Sequence, residues 1–225
     1  MRIATTIVLV LALVLICVSV FPITHPSMLM ANANTPPAGR TGAPGDGGTC
    51  VNLGCHVGTG GVGGMVVVPT NGVLQYSPGA TDTIGVVIAD STSTRWGFEL
   101  TVLKDSDNSM AGSFNSLPNV NTLVQSSGGK SYISHTSNGA SSPFDPTDGT
   151  YWTTPLHIGG GGWFFEWTAP PPGSGPVTFY VSGVGANGDG LAGAGDTTYT
   201  FALQLTEQGT PVREMTWGKI KQIYR

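Results

Sequence analysis

Within seven residues, Cys50-Val51-Asn52-Leu53-Gly54-Cys55-His56, the chain places two sulfur atoms and an imidazole. Three chemistries suit that set. Cys50 and Cys55 could form thioethers to the vinyl groups of a haem, with His56 reaching the iron from the same short loop. Gly54, Gly58, Gly60 and Gly61 would let a flat macrocycle come close. The two cysteines could instead close a local disulfide, the pairing that an oxidising compartment favours. So short a ring adds roughly 2 kcal/mol at best. Or Cys50, Cys55, His56 and a distant histidine, His135 or His157, could hold zinc. Four intervening residues suit a structural zinc site, but the adjacent Cys55 and His56 would struggle to meet at one tetrahedral centre.

Other chemistry finds little footing. The chain has no nucleophile elbow, no paired carboxylates and no phosphate loop; the run Gly159-Gly160-Gly161-Gly162 lacks the Lys-Ser/Thr that a phosphate loop needs. An enzyme is therefore not expected. Asn187-Gly188-Asp189-Gly190 lacks the alternating acids and terminal Glu of a calcium loop, and reads as a turn. Nine basic against thirteen acidic residues give a net charge of −4, with no basic stripe to follow nucleic-acid phosphates.

The elements that must carry the cluster are β-strands. Among 225 residues there are 34 Gly and 16 Pro, and charged residues make up 10%. That much Gly disfavours helices, and so little charge disfavours a disordered chain. Arg95 to Leu103 alternates, with Trp96, Phe98, Leu100 and Val102 on one face and Arg95, Gly97, Glu99 and Thr101 on the other. Met65–Val68, Val73–Tyr76, Thr83–Ala89, Leu123-Val124, Tyr132-Ile133, Gly162–Thr168, Val177–Ser182 and Thr197–Leu205 are further strand candidates. Seven to nine strands between turns predict an antiparallel β-sandwich over 65–208. Of the five Trp, Trp96 and Trp167 follow the alternation into the core. A Gly/Pro-rich lead segment, 34–64, carries the Cys-His cluster. Arg2 and the apolar run Ile3–Phe21, followed by Ala31-Asn32-Ala33, predict a signal peptide over 1–33 and an extracytoplasmic protein, with an uncleaved anchor as the alternative. Once the signal is cleaved, no stable membrane span is expected. Trp217, Ile220, Ile223 and Tyr224 lie at helical spacing, so a short amphipathic helix is expected in the 209–225 tail.

Several stretches together resemble a known family. They are Gly39-Arg40-Thr41-Gly42-Ala43-Pro44-Gly45 before the Cys-His cluster, Tyr132-Ile133-Ser134-His135-Thr136, Trp167-Thr168-Ala169-Pro170, Gly175–Tyr180 and Asn187–Gly190. In this order they resemble the bacterial choice-of-anchor V domain, a relative of the Reeler (reelin N-terminal) sandwiches. The resemblance implies an immunoglobulin-like sandwich on an exported, surface-associated protein. The family's usual cluster is C-x-x-C-H, the attachment signature of a c-type haem; this chain departs from it with four residues between the cysteines. The implied cofactor is covalent haem c on Cys50, Cys55 and His56. His135, in a segment that resembles the family, is then the first candidate for the second iron ligand, ahead of His157, Met65 and Met110. The implied partner is a redox protein. With the cysteines bridged instead, the domain would be a non-catalytic module binding a cell-surface component.

Overall fold

A computed structural model describes residues 35–51, 55–58, 63–118, 122–136, 159–189 and 195–209. The expected signal peptide, the C-terminal helix, His157, Trp152 and Trp217 lie outside them. The described residues form ten strands and no helix. They are β1 (Gly64–Pro69), β2 (Gln75–Tyr76), β3 (Thr81–Ala89), β4 (Arg95–Lys104), β5 (Ser113–Ser116), β6 (Thr122–Ser127), β7 (Lys130–His135), β8 (Gly160–Thr168), β9 (Val177–Ala186) and β10 (Thr197–Glu207).

A four-stranded sheet runs β1-β3-β8-β5 and a six-stranded sheet β2-β10-β9-β4-β7-β6. Neighbours pair antiparallel, except for the short parallel contact of β2 with β10. The sheets face each other across one apolar core. Ile84, Val86 and Ile88 of β3 and Trp163, Phe165 and Trp167 of β8 meet Phe98, Leu100 and Val102 of β4 and Phe179 and Val181 of β9. These are alternate residues of each strand, as a pleat with one face inward requires. Rings lock the layers: Trp167 meets Phe179 edge-on at 4.9 Å, and Phe98 tilts against Trp163 at 4.8 Å. The buried Trp167 indole N–H donates to the Ala111 carbonyl at 2.9 Å, so its polar atom is satisfied.

The sequence reading meets three differences. Only Gln75-Tyr76 of the Val73–Tyr76 candidate forms a strand; Val73 and Leu74 stand exposed. β5 has too little alternation in its four residues to be read beforehand. And β4 is buried on both faces: Glu99 and Thr101, opposite the core side, are as fully buried as Phe98 and Leu100.

The cover over that second face is the lead segment. Its path is held by Asp46, which accepts from the Thr41 hydroxyl at 2.6 Å, the Tyr132 hydroxyl at 2.8 Å and the Lys130 ammonium at 3.1 Å. The Lys130 ammonium also donates to the Pro44 carbonyl. The Arg40 amide donates to Glu99 Oε2 at 2.6 Å, and Gln125 reaches the Pro36 carbonyl at 3.1 Å. Residues without apolar periodicity thus form an ordered layer through turn and side-chain hydrogen bonds.

Candidate functional site

At one end of the six-stranded sheet lie the starts of β4 and β10 and the ends of β7 and β9. There the lead segment, the Cys55–Gly58 loop and the sheet enclose a cleft. Its walls include Pro36, Pro37, Arg40, Cys50, Cys55, His56, Gly97, Phe98, His135 and Val184. Four side chains singled out in the sequence, Cys50, Cys55, His56 and His135, therefore share one pocket. Met65 is packed in the core and Met110 beside it, and neither lines the cleft.

Cys50, His56 and His135 are positioned by named contacts. The Cys50 amide donates to Ser182 Oγ at 3.1 Å, and that hydroxyl in turn donates to the Tyr199 carbonyl at 3.3 Å. Burial pushes the Cys50 thiol up to about 11, with the Glu99 carboxylate adding to the rise. Both cysteines are free thiols in this structure. The His56 loop docks on the start of β10, where the Thr198 amide and hydroxyl both donate to the Gly58 carbonyl, at 3.0 and 2.8 Å. Residue 58 must be glycine, since a Cβ there would fall 1.5 Å from the Asp196 carbonyl oxygen. That docking brings His56 Nδ1 to 2.6 Å from Asp196 Oδ2. The carboxylate can only accept, so His56 Nδ1–H is the donor. The other Asp196 oxygen accepts from the Asn187 amide at 3.1 Å and ties the β9–β10 turn to the site.

His135 ends β7 at the point where the β7–β4 ladder stops. The last backbone pairs are Leu100↔Ile133 and Glu99↔Ser134. Beyond them the imidazole takes over, with Nδ1 3.0 Å from the Phe98 nitrogen and 3.1 Å from the Phe98 oxygen. The tautomer with Nδ1–H donating to the Phe98 carbonyl leaves the Nε2 lone pair free; the other tautomer places a proton there. Burial lowers His135, with the bond to the Phe98 backbone opposing and the nearby His56 adding to the fall. The ring lies on Gly97, where a Cβ would meet ring atoms at 2.5, 2.8 and 2.9 Å.

Two acids complete the surroundings. Glu99 is buried beneath the lead segment, and burial raises its carboxyl to about 7; the Asp46 charge adds to the rise, while the Arg40 and Gly39 amides oppose it. Burial alone would raise Asp46, but the bonds from Thr41, Tyr132 and Lys130 outweigh it and hold that carboxyl below its ordinary range. Sequence reasoning missed Asp196, Gly97, Arg40 and Glu99 as parts of this site. Each acts through a partner 37 to 140 positions away in the chain or through the space it leaves. Among the described residues, no three His, Cys, Asp or Glu side chains stand close enough to hold a metal ion, so the zinc reading finds no tetrahedral cluster.

The cleft has room for about 40 Å³ of water, well below the 300–1,000 Å³ typical of cofactor sites. The donors suit a tethered haem, with two cysteines for thioethers and two imidazoles whose Nδ1 atoms are engaged elsewhere. A bound macrocycle would have to widen the cleft.

No family model matches this chain, and no curated protein does. Among solved structures it is similar to the reeler domain of human F-spondin, at 18% identity and a TM-score of 0.42, over 67% of this chain and 91% of that one. It is also similar to the Reelin-N domain of F-spondin, at 15% and 0.42 over 64% and 87%. A type II cohesin domain from the cellulosome of Acetivibrio cellulolyticus follows at 10% and 0.32, over 64% and 94%. At such scores the likenesses carry no argument about the site, and the two-sheet architecture stands on its own strand pairing.

Proposed function

We propose that this chain is an exported, immunoglobulin-like β-sandwich module of the choice-of-anchor V kind that carries one covalently attached c-type haem and exchanges electrons with a redox protein. The observation that supports the reading is the convergence of Cys50, Cys55, His56 and His135 on one cleft, although His135 lies 79 residues beyond His56 in sequence. Cys50 and Cys55 would tether the group, and His56 and His135 would flank it. Bound haem would supply one-electron redox chemistry. The protein's part is orientation: Asp196 holds the His56 ring, and the Phe98 backbone holds the His135 ring. Such outer partners typically account for 10–100-fold in metal affinity or activity. The apolar walls Pro36, Pro37, Phe98 and Val184 would keep water from the same space.

A second reading has its own support: the Cys50 thiol is pushed up to about 11, which suits a structural sulfur better than a reactive one. On that reading Cys50 and Cys55 are bridged after export, and the domain is a non-catalytic module for a cell-surface partner. Exported protein from a host with a cytochrome c maturation system decides between them. The haem reading expects a Soret band and a mass increase of one haem. A colourless protein two hydrogens lighter than its reduced form would overturn it in favour of the disulfide.

A further inference from the structure

Arg40 is the one Lys or Arg side chain lining the cleft among the described residues, and the buried acid within reach of its charge is Glu99, whose carboxyl that charge draws down. Its Nε atom is buried without a hydrogen-bond partner. Its one side-chain bond among the described residues is a long one, Nη1 to the Gly39 carbonyl at 3.5 Å. The guanidinium makes no ion pair there either: the two ion pairs are His56–Asp196 and Lys130–Asp46. Glu99, the buried acid nearby, receives the Arg40 main-chain amide rather than the guanidinium. The fork packs against the lead segment. Gly47 lies so close to it that a Cβ would come within 2.0 Å of Nη1. In an acidic chain, a guanidinium with an orphaned buried nitrogen at an apolar cleft suits an anion, and its planar fork matches a carboxylate.

We infer that Arg40 is the anion-recognising residue of this cleft and binds a carboxylate of a flat, largely apolar ligand seated between His56 and His135. For the ligand's identity this rests on the haem reading, since a haem presents propionate carboxylates at one edge of an apolar ring. The recognition itself needs only the cleft and Arg40.

The test separates the two. A Cys50→Ser/Cys55→Ser protein cannot attach haem covalently, so it is titrated with free haemin and with haemin dimethyl ester, which has the same ring and no carboxylate. With Arg40 present the free acid binds about tenfold or more tightly than the ester. In R40Q the two bind alike, and R40K, a point charge without the fork, falls between. Melting curves establish that each variant is folded; if R40Q is not, the fall in the ratio for R40K decides. An unchanged ratio in the variants, equal binding of acid and ester to the parent, or binding of neither overturns the inference. The mass of the wild-type protein from a maturation-competent host judges covalent haem separately. A colourless wild type beside a preserved, Arg40-dependent preference for the acid would refute the tether and keep the carboxylate site.

Discussion

His135 and Gly97 form one unit, although they sit 38 positions apart. The imidazole replaces the next rung of the β4–β7 ladder by bonding to Phe98, and it can lie there because residue 97 has no side chain. Gly97→Ala would put a methyl group 2.5 Å from a ring carbon. Either the ring or the strand must move, and overpacking of this kind costs about 1–3 kcal/mol. The expected result is a lower urea midpoint together with a changed His135 ring signal in NMR. Loss of stability with the ring signal unmoved would mean that Gly97 serves the strand alone. Asp196→Asn tests the neighbouring unit. The variant should stay folded, but the His56 ring loses its charged acceptor, and any metal affinity read from the ligand spectrum should fall about 10–100-fold. An unaltered spectrum would show that Asp196 merely closes the β9–β10 turn.

Among the elements, the lead segment is the unusual one. Its described residues before β1 form no strand, yet they turn the outer face of β4, β7 and β9 into a second buried layer in which Glu99, Thr101, Ser134 and Ser182 are fully covered. The layer is polar, so its cohesion comes from hydrogen bonds rather than from apolar area, although Arg40 Nε and Glu99 Oε1 are buried in it without partners. Asp46 concentrates three of its side-chain contacts. Asp46→Ala would leave the Tyr132 hydroxyl and the Lys130 ammonium short of an acceptor, at a cost of about 1–3 kcal/mol. Hydrogen exchange should quicken at the amides of Gly42, Asp46 and Gly47, which bond within the segment, while β3, β8 and β9 keep their protection. Exchange that rises equally throughout would show that the segment and the sandwich open as one unit.

For the whole molecule, the buried acid ties stability to pH. The Glu99 carboxyl stands at about 7 in the folded protein against an ordinary 4.5. Below about pH 4.5 both the folded and the unfolded chain hold the proton. Between there and pH 7 the unfolded chain releases it while the folded one keeps it, so the contribution of this group falls as pH rises and then levels off. His135 works against it. Its lowered value means that stability is lost as pH falls below 6.5, when the unfolded chain takes up a proton that the buried ring refuses. The net slope of the wild type mixes the two, and E99Q isolates one. Relative to wild type, E99Q should gain on the order of 3 kcal/mol between pH 4.5 and 7, read from urea unfolding at each pH. A difference that stays flat would mean that Glu99 ionises normally beneath the segment.

The two-sheet architecture was legible because its causes are local. A pleat alternates every second residue, so Trp96, Phe98, Leu100 and Val102 declare an inward face without knowledge of the partner strand. The same pattern placed Trp167 in the core. The Cys-His cluster was legible because its members are neighbours in the chain. What alternation could not show was the burial of Glu99 and Thr101, since their cover is an aperiodic stretch held by single side-chain bonds. Nor could it show the meeting of His56 with Asp196, or of His135 with Gly97. These depend on which strand ends meet at one end of the six-stranded sheet, and strand order is set by packing over the whole core. The residues able to do chemistry were thus written in the sequence, while the pocket that joins them, with Arg40 at its wall, exists only once β4, β7, β9 and β10 lie side by side.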